Sequence, residues 1–96
     1  MELFIFARFH AREGQEEAVG AALSEVVAPS RREPGCVAIG AYRSTRDARL
    51  FYIHSRWIDE AAFEAHAALP HTVHFLARIQ PLIDHPFEAT RATPIG

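Results

Sequence analysis

A chain of 96 residues has room for one hydrophobic core, and 49% hydrophobic with 23% charged residues is the balance of a folded domain. Twelve acidic against ten basic side chains give a net charge of −2, which provides no basic footprint for nucleic acid. All ten basic residues are Arg; with no Lys, Schiff-base chemistry and a phosphate-binding P-loop lysine are excluded. The single cysteine, Cys36, can form neither an internal disulfide nor a cysteine zinc cluster. It is compatible with a reducing compartment, and a cytoplasmic location is expected. No apolar run approaches the ~20 residues of a membrane span, and the opening MELFIFARFH lacks the basic leader and small-residue cleavage site of a signal peptide.

Residues 3–11 alternate, with Leu3, Ile5, Ala7 and Phe9 on one face and Phe4, Phe6, Arg8 and His10 on the other, which predicts a strand. Glu13-Gly14 punctuates it. Residues 15–31 carry the helical stripe Val19, Ala22, Leu23, Val26 and Val27, with Glu16 and Glu17 in the first turn and Arg31 and Arg32 near the end. Pro34-Gly35 stops this helix. A second strand follows at 36–44, on which Val37, Ile39 and Ala41 should share a face, then a polar turn at 45–49. The third strand, 50–57, should form a hairpin with it. Asp59 is a suitable N-cap for a short helix at 60–69 with the stripe Ala62, Phe63, His66 and Leu69. Pro70 breaks that helix; a further one is expected at about 71–83, disturbed at its end by Pro81 and Pro86, before a weak strand at 86–93 and a loose tail.

This order, β-α-β-β-α-β, predicts an α+β, ferredoxin-like fold in a single domain spanning 1–96: a four-stranded antiparallel sheet with helices on one face. The first and third strands carry large side chains on both faces. The face away from the helices would be an exposed apolar patch, and two copies packed sheet to sheet would cover it. A homodimer in the form of an α+β barrel is therefore expected, against a monomer with a few exposed aromatics.

Six histidines are the most unusual feature, and His66, His71 and His74 cluster. Pro70 prevents His66 and His71 from being ligands on one continuous helix, and no carboxylate motif or cysteine completes a metal set; no metal is expected. His66 lies on an apolar stripe and should point at the sheet, either as a satisfied core residue or as a base at the edge of a cavity. Trp57 is either core or the wall of an aromatic-ligand pocket. Ser55, small and polar between Ile53 and Trp57, suggests a local gap. Cys36 has no neighbouring base in the sequence and reads as structural; the Arg31-Arg32 pair reads as a solvated helix end.

The stretch LFYIHSRWIDEAAFEAHAALPHTVHFLARIQPL (50–82), with its Trp57–Glu64-Ala65-His66–Pro70-His71 spacing, resembles the antibiotic biosynthesis monooxygenase family. The opening FIFARFHAREGQEE and the turn REPGC (32–36) fit the same pattern, so the resemblance covers about residues 3–84. It implies a homodimer with one cavity per subunit between sheet and helices, and oxygenation of a small phenol, hydroquinone or polycyclic aromatic by molecular oxygen, with no cofactor. By the same analogy Trp57 and His66 carry the chemistry, and His71 stands near the cavity mouth. Phe51, Ile53, Ser55, Phe63 and Ala7 join the substrate-binding wall. Many relatives have Glu where this chain has Ser55, so any proton transfer by that Glu must fall here to His66 or be absent. A haem-degrading branch of the superfamily carries Asn, Trp and a haem-ligating His where this chain has Ala7, His66 and Leu76, which argues against haem. Two other readings stay open: a dimer that binds a small hydrophobic molecule without turnover, and a cofactor-free isomerase or lyase in the same cavity.

Overall fold

Period-two alternation makes β1, Leu3–His10, and sorts it cleanly: Leu3, Ile5, Ala7 and Phe9 are buried, while the other face is open or half-open. The computed structural model describes residues 1–96. After β1 come α1 (Glu16–Arg31), β2 (Cys36–Arg43), β3 (Leu50–Trp57), α2 (Glu60–Ala68), α3 (Pro70–Ile79), a 3-10 turn (Gln80–Leu82) and β4 (Glu88–Ala92). Gly14 takes φ +84° in the turn that reverses the chain from β1 into α1, a backbone state that favours glycine. Its N–H donates to Glu16 (3.0 Å).

The sheet is antiparallel in the order β2-β3-β1-β4, the ferredoxin-like arrangement expected from the element order. Both central strands, β1 and β3, pair along their whole length, from Leu3 opposite Trp57 to His10 opposite Leu50. α1 and α3 cover one face, and the core gathers there around Phe9, Val19, Leu23, Ile53 and Ile79. No helix is long and apolar enough to cross a membrane.

Three local expectations need correction. The helix expected at 71–83 begins at Pro70, because proline suits a first helical position, where its missing N–H is no loss. It stops at Ile79 and tightens into a 3-10 turn, because Pro81 cannot continue the α-helical bonding. Val37 leaves the face that Ile39 and Ala41 share: the register slips between Cys36 and Ala38 and drops Val37 from the pairing, while Ile39 and Ala41 lie opposite Ser55 and Ile53, and of the three only Ile39 is buried. Arg31 is more than a solvated helix end. Its guanidinium donates twice to the Ile39 carbonyl (3.0 and 3.2 Å), tying α1 to the edge strand.

The open face of the sheet is aromatic but not uniformly oily. Phe6, Tyr42 and Tyr52 are exposed on it. His54 packs between Phe4 and Phe6, and the Arg56 guanidinium lies over the Phe4 ring (5.0 Å) while it pairs with Glu2.

Candidate functional site

Between the helices and the sheet lies a cavity of about 180 Å³. Its walls are apolar: Ile5, Ala7 and Phe9 from β1, Ile39 and Ile53 from the neighbouring strands, Phe63 from α2, Phe75 and Leu76 from α3, and Phe87. Four polar side chains reach it: Ser30, Ser55, His66 and Thr72. An apolar pocket with a few convergent polar groups is the ordinary form of a small-molecule site. A dry cavity of ~150 Å³ takes a benzene ring, so this one suits a single ring with small substituents.

The sequence builds the corner around His66 in steps. Asp59 caps α2 by accepting the Ala62 N–H (2.8 Å), which fixes where the helix starts on the end of β3. Phe63 and His66, one turn apart, then face Trp57, with ring centroids 6.0 and 4.5 Å from the indole. Leu69 is extended (φ −73°, ψ 149°), as a residue before proline prefers, and the chain turns at once into α3. That turn brings Thr72 and His71 back beside the end of α2.

The third contributor comes from far away in sequence. Glu33 precedes the Pro34-Gly35 turn, and Cys36 just beyond it pairs with Trp57. Gly35 lies so close to α2 that any Cβ there would overlap the Ala62 methyl, so glycine is what lets the turn and the helix meet. Glu33 Oε2 accepts hydrogen bonds from His66 Nδ1 and from His71 Nε2, each at 2.7 Å. The Glu33 side chain is only 9% exposed, His66 12% and His71 27%. An ionised carboxylate only accepts, so each imidazole presents its proton to Glu33. In neutral His66 the lone pair is then on Nε2, which has no hydrogen-bond partner within the chain and keeps contact with solvent. The indole face of Trp57 beside the ring suits the imidazolium that would form when Nε2 takes a proton.

The structure thus brings His66, Ser55, Ile53, Phe63 and Ala7 together on one cavity. Three other residues expected at the site lie elsewhere. Trp57 is fully buried behind His66 rather than on the cavity surface, and its Nε1 donates to Ser55 Oγ (3.0 Å). Ser55 therefore anchors the indole, and its own hydroxyl proton has no acceptor within the chain. Phe51 is core at the opposite end of β3, beneath α1 and stacked by Arg43 (5.2 Å), because two residues along a strand is enough to leave the cavity. His71 lies beyond Glu33, on a small hollow between α1 and α3, not on the cavity.

Glu33, Thr72 and Ser30 were missed by sequence reasoning. Ser30 is fully buried and donates to the Val26 carbonyl (2.7 Å). Glu33 also supplies the carboxylate that the sequence did not offer to the histidine cluster. One signal for it existed: REPGC leads into the strand that ends against Trp57. Cys36 is half-buried, and burial first, then the Glu33 charge, push its thiol pKa above the ordinary value, which suits a structural thiol rather than a nucleophile.

A second histidine–carboxylate cluster lies at the far end of β1. His10 Nδ1 bonds Asp84 (2.7 Å), its Nε2 faces Asp47 (3.3 Å), and Arg49 and His85 also hold Asp84. The hydrogen bond from His10 holds Asp84 below the usual carboxylate range, and the Arg49 backbone N–H does so for Asp47.

Comparison with known proteins agrees with the fold. The family model described as antibiotic biosynthesis monooxygenase matches residues 3–78. In sequence the chain is 28% identical over 91 residues to "Putative monooxygenase Rv0793" of Mycobacterium tuberculosis, covering 95% of this chain and 89% of that one. The solved structure of Rv0793 superposes with a TM-score of 0.94 at 25% identity, over 100% of this chain and 97% of the other. PA3566 from Pseudomonas aeruginosa gives a TM-score of 0.92 at 29% identity, over 99% and 95% of the two chains. With the family model spanning most of the sequence and the fold shared over nearly its full length, the chain belongs to the antibiotic biosynthesis monooxygenase family.

Proposed function

We propose that the protein is a cofactor-independent monooxygenase of small phenols or hydroquinones, with His66 as the base. The observation that carries this is the cavity: one ring's worth of apolar space with a single imidazole on its wall, its Nδ1 committed to Glu33 and its Nε2 available. Ground-state oxygen is a triplet and reacts slowly with closed-shell molecules. A phenolate is electron-rich enough to pass it one electron. His66 Nε2 takes the phenolic proton, and the Ser55 hydroxyl can donate to the resulting oxyanion. The phenoxyl radical and superoxide combine at a ring carbon, and the imidazolium returns its proton to the peroxide. Loss of water leaves a quinone: phenol and O₂ give quinone and water, with no outside reductant. A base so placed contributes ~10²–10⁴-fold.

The cavity volume favours one ring over the polycyclic substrates that the family resemblance allows. Leu76 and Phe87 also line a larger outer groove, so a second ring would have to pass between them. In this reading the working form is a homodimer joined through the open sheet face, supported by exposed Phe6, Tyr42 and Tyr52. Its setting is the cytoplasm, where the Cys36 thiol stays reduced.

The test is oxygen consumption across a panel of phenols and quinols at pH 6–8. Uptake that depends on a single-ring quinol and collapses in His66→Ala supports the proposal; no uptake above the buffer rate overturns it. Turnover under argon would instead identify an isomerase or lyase. A ligand-induced rise in Tm with no product would identify a binding protein.

A further inference from the structure

We propose that Glu33, His66 and His71 form a site for a divalent ion of the zinc class, and that the bound ion disables His66 as a base. One ligand atom from each of these residues lies within 4.8 Å of the other two, and Glu33 Oε2 is 2.7 Å from both His66 Nδ1 and His71 Nε2, each residue from a different segment of the chain. Two imidazoles and one carboxylate with an open fourth position are a donor set for zinc and its neighbours in the first transition row. They do not suit calcium or magnesium, which take oxygen ligands. Tetrahedral bonds of about 2.0–2.1 Å put ligand atoms about 3.3 Å apart. The two contacts of 2.7 Å to Oε2 therefore have to open by roughly half an ångström, and the two imidazole nitrogens have to settle at the same spacing, both by side-chain adjustment.

The surroundings favour an ion here over the other histidine cluster. Glu33 is nearly buried and has no Arg against it; its two partners at this corner are the imidazoles that would become ligands with it. In the group of His10, Asp84 and His85, both His10 nitrogens are already engaged by carboxylates, and the Arg49 guanidinium holds Asp84. That site has its cation. At the buried site the way in is also plain: His71 is 27% exposed and lines the hollow between α1 and α3, so an ion arrives without crossing the apolar cavity.

Occupancy has a chemical consequence. An ion on Nδ1 of neutral His66 requires the ring proton on Nε2. The nitrogen left free for the substrate then carries a hydrogen and has no lone pair to accept another. Binding itself stands on the donor geometry alone; the inhibition rests on His66 being the base proposed above.

The experiment uses tag-free, chelator-treated protein at fixed pH. Zn²⁺ is titrated by calorimetry, and Co²⁺ is followed by its visible d–d absorption. One ion per chain is expected, with both Glu33→Gln and His71→Gln weakening binding at least ~10-fold and His85→Ala leaving it unchanged. Absence of saturable binding, or binding that survives both substitutions, overturns the site; the partly exposed His71 keeps that test valid should Glu33→Gln fail to fold. Where quinol-dependent oxygen uptake is present, it should fall in proportion to zinc occupancy. Occupancy with undiminished uptake overturns the switch, whereas a protein that oxygenates nothing but still binds zinc refutes only the monooxygenase reading.

Discussion

The two histidine–carboxylate clusters use the same hydrogen-bonding chemistry and do different work. Around Glu33 one carboxylate serves two imidazoles in a nearly dry corner, and one of those rings borders an apolar cavity. Around Asp84 the groups are wetter, both His10 nitrogens are engaged, and Arg49 adds a charge. The first leaves one nitrogen free on a ring that lines an apolar cavity. The second leaves none, and clasps the turn before β3 to the segment before β4. A histidine beside a carboxylate is thus a candidate base only when its second nitrogen has somewhere to act.

The sharpest way to break this contrast is paired substitution. His66→Ala should lower quinol-dependent oxygen uptake by ~10²–10⁴-fold, while His10→Ala should leave it near the parent value. Equal losses would erase the distinction. Next in size is Trp57→Ala, which empties the fully buried space behind His66 and should cost about 3–5 kcal/mol in urea unfolding. His85→Ala, at the half-exposed edge of the outer cluster, should cost no more than about 1 kcal/mol by the same measurement.

Gly35→Ala tests how the buried corner is assembled. The new methyl meets Ala62, so α2 must move away from the Pro34-Gly35 turn. About 1–3 kcal/mol of stability should be lost, with a drop in uptake beyond what the remaining folded fraction explains. The smallest effect concerns acid. Asp84 is held below its ordinary value of 3.8, mainly by the hydrogen bond from His10, so its contribution is complete above 3.8 and fades as pH falls through the lower folded value. The Tm gap between the parent and Asp84→Asn should be small, and should close in strong acid as the carboxylate takes its proton. A gap that widens on acidification would contradict the assignment.

The element order was legible because each segment carries its own periodicity. The alternation of β1, the stripe of α1 and the N-cap Asp59 are local signals, and β3 lies at residues 50–57 as its pattern predicts. His66 could be singled out for the same reason: a polar ring on an apolar stripe is visible one turn at a time. Phe51 shows the limit of that reasoning. Face alternation put it beside Ile53 and Ser55, but position along the strand decides which end of the sheet is filled and which is hollow, and that depends on the helices above.

Sequence alone therefore settled the β-α-β-β-α-β order and the α+β class, since both rest on short-range pattern. Only the folded chain could assign Glu33. Its two partners are 33 and 38 residues away, and the contact exists because a glycine turn and a capped helix meet at the end of one strand pair. Tertiary structure also decided that Trp57 supports His66 from behind, because burial depends on the layers stacked over a residue, which its own neighbours in sequence do not specify.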